Sequence, residues 1–265
     1  MPYVDTHDGT RLFYRDWGSG NPVLFSHGWP LSGDMWEYQM VPVVERGMRA
    51  VAFDRRGFGR SDQPGGGHDY DTWADDVAVL VTSLDLRDLT LVGFSMGGGE
   101  IARYLARHGG RRVARVVLTS AALAPMDTAV AEAMIAALAA DRPHFLGQGV
   151  PTVFGCSPTS VDPDGVVSPR LMKWVTTLAL RASPLATIAC LRQFMVADFT
   201  ADLTAFTMPT LIVHGTADAS APIESARRTA RAIPRSRLVE YAGAPHGLFL
   251  TERERFTRDL LAFVA

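Results

Sequence analysis

The segment LTLVGFSMGGGEIARYLARHGG, residues 89–110, changes character in its middle. Up to Phe94 its apolar residues are consecutive, as in a strand covered on both faces of a sheet. From Met96 onward it reads as a helix. Between them stands GFSMG, Gly93 to Gly97, a G-x-S-x-G turn from strand to helix. Glycines two before and two after leave room for Ser95 on a sharp corner, and the helix that follows favours negative charge developing nearby. A glycine-rich corner that merely packs closely is the simpler account. The register of strand, turn and helix favours a chemical role for Ser95.

Outward from this corner, short apolar runs alternate with amphipathic stretches. RLFYRDW (11–17), PVLFSHG (22–28), RAVAFD (49–54), RVVLTS (115–120), TLIVHG (210–215) and RLVEYA (237–242) read as further strands. YDTWADDVAVLVTSLDL places Trp73, Val77, Leu80, Val81 and Leu84 on one helical face, with Asp71 or Thr72 placed to cap its start. ERERFTRDLLAFVA is a closing amphipathic helix. Alternation of this kind predicts an α/β fold with a mostly parallel, doubly wound sheet. It breaks between about Ala122 and Thr207, an Ala-rich helical segment punctuated by Pro, Gly and Ser. The expected organisation is a core of 1–121 and 208–265 with a helical cap, or lid, at 122–207 over the sheet edge where ligands bind.

A serine hydroxyl is a weak nucleophile until a base takes its proton. Where a serine sits on such a turn, an acid and then a histidine follow it in chain order. Of seven histidines, only His246, in GAPHG, lies in a loop after a late strand. His214 reads as a satisfied strand-end residue and His108 as the end of a helix. Asp218, just past the strand TLIVHG, is the natural orienter of His246. Asp198 and Asp202 are weaker candidates, in the lid's return segment. Acyl transfer also needs backbone N–H donors for an oxyanion. These are expected at Met96, which follows the serine, and at Trp29, in the SHGWP loop after an early strand. Pro30 confines Trp29 to β or polyproline conformations, and the bond before it can also be cis; either effect directs the Trp29 carbonyl. A carbonyl turned into the pocket would accept a hydrogen bond from the second hydroxyl of hydrogen peroxide, which water lacks; an ordinary turn proline is the alternative.

Other features carry less. DRRGFGRSD (54–62) reads as a turn with a local Asp/Arg network, and GGGE at 97–100 lacks the Lys and Ser/Thr of a phosphate loop. No metal-ligand spacing is present. A formal charge of −2 gives no reason to expect nucleic acid or an anionic membrane as partner. The longest apolar stretch, AVAEAMIAALAA (129–140), is too short to span a bilayer and contains Glu132. Two cysteines make no disulfide framework, and a cytoplasmic protein is the expectation.

FSHGWPL…DMWEYQM, AFDRRGFGRSDQP…DYDTWADDVA, LVGFSMGGGEIARYLARHG, DFTADL…PTLIVHG and YAGAPHG…DLLAFV together resemble the metal- and cofactor-free haloperoxidases of the α/β-hydrolase fold. These are also called non-heme chloroperoxidases, and the group grades into aryl esterases and perhydrolases. The resemblance covers nearly the whole chain. It implies the triad Ser95, Asp218 and His246, oxyanion amides at Trp29 and Met96, no cofactor, a small ester or carboxylic acid as substrate, and a homo-oligomer of three or more. It also implies an acyl-enzyme cleaved by water or, where Trp-Pro stands in the first loop, by peroxide. The lid stretch APMDTAVAEAMIAALAADRPHF departs from the family pattern and is shortened. Ala219-Ser220-Ala221 replaces bulkier apolar residues, which would widen the acyl site. Pro30, Phe145, Phe154, Trp174 and Ile223 are candidates for lining the pocket, and the last four fit core positions equally well. A lactone or lactam hydrolase with the same triad, or a small-molecule receptor without turnover, are the competing readings.

Overall fold

The computed structural model describes residues 2–156 and 167–265. Its sheet runs β1 (Tyr3–Asp5), β2 (Arg11–Gly18), β3 (Pro22–Ser26), β4 (Arg49–Phe53), β5 (Leu89–Phe94), β6 (Val113–Thr119), β7 (Thr210–Gly215) and β8 (Ser236–Tyr241) in the spatial order 1-2-4-3-5-6-7-8. β2 is antiparallel to β1 and β4, and every other pairing is parallel. Each residue of β3, β5 and β7 is buried, so both faces of the sheet are covered.

Two apolar clusters do the covering. On one face α2 (Tyr70–Ser83), α3 (Met96–His108) and α7 (Ile223–Ala232) contribute Trp73, Leu80, Ile101, Leu105 and Ala226. On the other, α1 (Glu37–Glu45) and the C-terminal α9 (Arg253–Val264) contribute Met40, Val43, Phe256 and Leu260 around Trp36. The expected strands of the core are present within a residue or two, and the helix expected over 70–86 ends at Ser83. Two local details differ. β1 pairs Tyr3 with Phe13 over only three residues, too few to leave a pattern in the sequence. The cap of α2 is Asp69, whose carboxylate accepts the Thr72 N–H, rather than Asp71 or Thr72.

Among the described residues three α-helices lie between β6 and β7: α4 (Thr128–Val153), α5 (Pro169–Leu180) and α6 (Pro184–Val196). α4 is broken at Asp141, with φ −155° and ψ 85°, two residues before Pro143. The Asp141 carboxylate accepts the His144 N–H at 2.9 Å and so caps the second half. The helices meet the core at a few polar points. The Ser183 N–H donates to the Gly57 carbonyl at 2.7 Å and the Gly247 N–H to the Val153 carbonyl at 2.8 Å. The Trp29 indole N–H donates to the Thr187 carbonyl at 3.1 Å. Among the described residues no single helix is long and apolar enough to cross a membrane.

Candidate active site

The parallel strands end at one edge, and the loops leaving that edge carry the candidate residues. Ser95 joins β5 to α3 with φ 50° and ψ −116°, a conformation that strains a residue bearing a Cβ by about 1–3 kcal/mol. Its surroundings impose it. The Ser95 N–H donates to the Thr119 carbonyl at 3.1 Å, and its own carbonyl accepts from Gly98 and Ala122 at 2.9 and 3.2 Å. The two flanking glycines are required by close approach: a Cβ on Gly93 would stand 2.7 Å from the Gly97 carbonyl oxygen, and one on Gly97 2.6 Å from that of Ser26. Met96 opens α3, so its N–H is one of the helix-terminal donors without an intrahelical partner.

Asp218 and His246 come together from the loops after β7 and β8. His246 Nδ1 lies 2.7 Å from Asp218 Oδ2, and both side chains are buried, 7% and 0% exposed. A carboxylate only accepts, so Nδ1 carries the hydrogen and a neutral imidazole keeps Nε2 free as a base. The other carboxylate oxygen, Oδ1, accepts the N–H groups of Ser220 and Ala221 at 2.9 and 2.8 Å. Burial alone would raise the Asp218 pKa. Hydrogen bonds from His214 and His246, with the nearby His246 charge, outweigh it and hold the carboxyl well below the usual carboxylate range. The His246 ring packs on Phe94, the neighbour of Ser95, with centroids 4.8 Å apart.

His214 does more than satisfy itself. Its Nε2 lies 2.6 Å from the Ala221 carbonyl and 3.2 Å from Asp218 Oδ2. Both are acceptors, so this nitrogen is also protonated and tightens the turn that presents the acid. In the sequence His214 reads only as a satisfied strand-end residue, although Asp218 follows it four residues later.

The SHGWP loop abuts the elbow. A Cβ on Gly28 would meet the Phe94 ring at 2.5 Å and Ser95 Cβ at 3.3 Å, which puts the Gly28–Trp29 peptide beside the serine. The Gly28 carbonyl accepts the Leu31 N–H at 2.9 Å, closing a turn, and the Trp29–Pro30 peptide is cis. Among the described residues the backbone N–H groups of Trp29 and Met96 donate to no protein acceptor. The Trp29 side chain faces the other way, onto α6, where its ring meets Phe194 edge-on. One residue thus serves both the loop and the helices above it.

Of the pocket candidates, Phe154 packs against Gly247, the residue after His246, and against Phe249. Trp174 meets Tyr38 edge-to-face, and Ile223, the first residue of α7, packs against the core cluster on that face of the sheet. Phe145 lines a groove of about 470 Å³ along α4, with Ala137, Asp141, His144 and Gln148. Asp198 caps its own turn at Thr200, and Asp202 pairs with Arg103. His108 ends α3 and meets Asp75. The 54–62 segment is the Asp/Arg network its sequence suggested: Arg60 bridges Asp54 and Asp34, and Arg56 bridges Asp76 and Asp8. Among the described residues no group of three or more His, Cys, Asp or Glu side chains is placed to hold a metal ion.

Residues 21–150 match the family model of the alpha/beta hydrolase fold, and 196–261 match that of a TAP-like protein. The chain is 40% identical to the non-heme chloroperoxidase CPO-A1 of Kitasatospora aureofaciens, over 100% of this chain and 99% of that one. It is 38% identical to a bifunctional esterase/perhydrolase of Acinetobacter calcoaceticus, over 100% and 99%. A bromoperoxidase from Bacillus anthracis superposes with a TM-score of 0.91 at 39% identity, covering 96% of this chain and 95% of that one. The chain therefore belongs to the α/β-hydrolase family, in the group that contains the non-heme chloroperoxidases and haloperoxidases.

Proposed function

We propose that the protein is a serine hydrolase that cleaves carboxylic esters through an acyl-enzyme and, when hydrogen peroxide is present, forms peracids. Ser95 Oγ attacks the ester carbonyl while His246 Nε2 takes its proton, and Asp218 holds the imidazole and stabilises its charged form. The N–H groups of Trp29 and Met96 receive the oxyanion. His246 returns the proton to the departing alkoxide or phenoxide. Water or peroxide then attacks the acyl-enzyme, giving acid or peracid and restoring Ser95. Free peracid oxidises halide in solution, so haloperoxidase behaviour requires no halide site and no cofactor. Helices α4–α6, within a cap of residues 122–207, roof the acyl pocket, with Pro30 and Phe154 at its wall.

The observation that carries this reading is a serine held at positive φ whose neighbour Phe94 packs on the His246 ring of a buried Asp218–His246 pair at 2.7 Å. The likeness to a relative named as an esterase/perhydrolase supports both halves of the activity. Phenyl acetate turnover by wild type and Ser95→Ala, with and without peroxide, tests it when acetate and peracetate are scored separately. Ser95→Ala should lose about 10⁵–10⁶-fold in kcat. Turnover indifferent to Ser95→Ala would refute the mechanism. Pro30→Leu should lower the peracetate-to-acetate ratio, and an unchanged ratio would leave Pro30 a turn residue.

A further inference from the structure

Beneath the SHGWP loop lies a buried ion pair that the reaction does not use. Arg55 and Glu100 have no exposed side-chain area, and Glu100 lies on α3 one turn beyond Met96. Arg55 Nε and Nη2 donate to the two Glu100 oxygens at 2.8 and 2.9 Å. Nη2 donates also to the His27 carbonyl at 2.9 Å and to Ser26 Oγ at 3.1 Å. The Ser26 hydroxyl in turn donates to the Glu100 carboxylate. Helix α3 and the loop are thereby joined through one guanidinium.

The pair also decides the state of the His27 ring. The backbone N–H of Arg55 donates to His27 Nε2 at 3.0 Å, so that nitrogen offers a lone pair. Burial and the Arg55 charge hold the imidazole neutral, its pKa well below the ordinary value. The single ring hydrogen is then on Nδ1, which lies 2.9 Å from the Gly28 carbonyl and donates to it. Arg55 Nη1, 3.4 Å from Nδ1, faces another donor and makes no bond there.

We propose that His27 is a positioning residue for the oxyanion hole: it holds the plane of the Gly28–Trp29 peptide and so aims the Trp29 N–H. The inference rests on the reading of that N–H as an oxyanion donor. A trans peptide is rigid, and its C=O and N–H point in opposite directions. Fixing the Gly28 oxygen with two donors, His27 Nδ1–H and Leu31 N–H, therefore fixes the direction of the Trp29 hydrogen. Turning this peptide over would break both bonds and present a carbonyl where the oxyanion forms. The chain runs from Glu100 through Arg55 and His27 to the Gly28 oxygen, and it ties the Trp29 amide to the same helix whose first N–H is that of Met96.

Two substitutions separate this role from simple core filling. In His27→Asn the amide nitrogen can stand near Nδ1 and keep the donor to Gly28. In His27→Gln the amide group reaches instead the place of Nε2 and keeps the Arg55 contact. With phenyl acetate, His27→Gln should lose about 10²-fold in kcat at unchanged KM, as for an oxyanion donor out of place. His27→Asn should stay within about tenfold of wild type on the same grounds. Sulfur is a poor hydrogen-bond acceptor, so the preference for phenyl acetate over its thionoester should shrink in His27→Gln and persist in His27→Asn. Folded His27→Gln with wild-type kcat and wild-type thionoester discrimination would overturn the proposal, as would losses in both variants that merely track their Tm. Should neither variant fold, the wild-type tautomer decides by ¹⁵N NMR: a hydrogen on Nδ1 supports the proposal, and one on Nε2 overturns it. Turnover that survives Ser95→Ala would instead remove the reading on which the proposal rests.

Discussion

The loops at the sheet edge that carry Ser95, Asp218 and His246 and the helices between β6 and β7 are held by different forces. The loops are fixed by buried polar groups. Arg55 binds Glu100, Asp218 receives two imidazoles and two amides, and Ser95 is pinned through its own peptide groups. The helices rest on apolar contact and a few polar ties. α4 is broken at Asp141, and Val130, Leu185 and Val196 leave large apolar surfaces exposed. Buried charge tolerates little change in geometry, because an uncompensated partner costs several kcal/mol. Apolar contact tolerates exchange of shape at constant volume. On the proposed function, reaction geometry is concentrated in the loops, while the helices can vary in what they admit.

The sharpest way to break this contrast is to change the acid. Asp218→Asn should lower kcat for phenyl acetate by about 10⁴-fold, because the amide favours the wrong tautomer of His246; a loss under tenfold would mean that Asp218 does not orient the base. Glu100→Gln comes next. Leaving the Arg55 charge buried and unpaired should cost about 3–5 kcal/mol of unfolding free energy, read from urea denaturation. An effect below 1 kcal/mol would show that the pair is not what fixes the loops.

Acid provides a subtler test. The folded-state pKa of His27 lies below its unfolded value of about 6.5. Between the two, the unfolded chain binds a proton that the folded chain refuses, so stability falls with pH by up to about 1.4 kcal/mol per unit. Asp218 is depressed in the other pKa range, and its stabilisation is lost only as pH falls below about 4. Urea midpoints measured from pH 6.5 to 5 should thus fall more steeply for wild type than for His27→Asn. Parallel lines would exclude His27 as the source. The smallest effect on kinetics is expected on the helices. Phe145→Ala, in the groove along α4, should leave phenyl acetate kinetics within about twofold while costing about 0.5–3 kcal/mol of stability, because its ring packs in part against the apolar cluster. A tenfold change in KM would join that groove to the acyl pocket.

The same contrast governs what could be read from the chain. The placement of Ser95 on the corner between β5 and α3 was legible because the apolar period changes at a glycine-flanked serine, and the pairing of Asp218 with His246 because they follow strands in a fixed order. Backbone geometry of this kind is written locally. His27 and His214 were not legible, since their roles depend on which ring nitrogen meets which partner. Arg55 is 28 residues from His27 and 45 from Glu100, and sequence pattern carries no signal over that span. The Asp69 cap was missed because three capping residues stand within four positions. The link from Trp29 to Thr187 spans 158 residues and left no mark at either end.

That link has a further consequence. The Trp29 indole grips the main-chain carbonyl of Thr187, and the ties at Gly57 and Val153 likewise end on main-chain carbonyls. A carbonyl is present whatever side chain the residue bears. Helices α4 and α6 can accumulate substitutions while their moorings to the edge loops survive. On the proposal that these helices roof the acyl pocket, a library confined to them should yield altered selectivity far more often than dead enzyme.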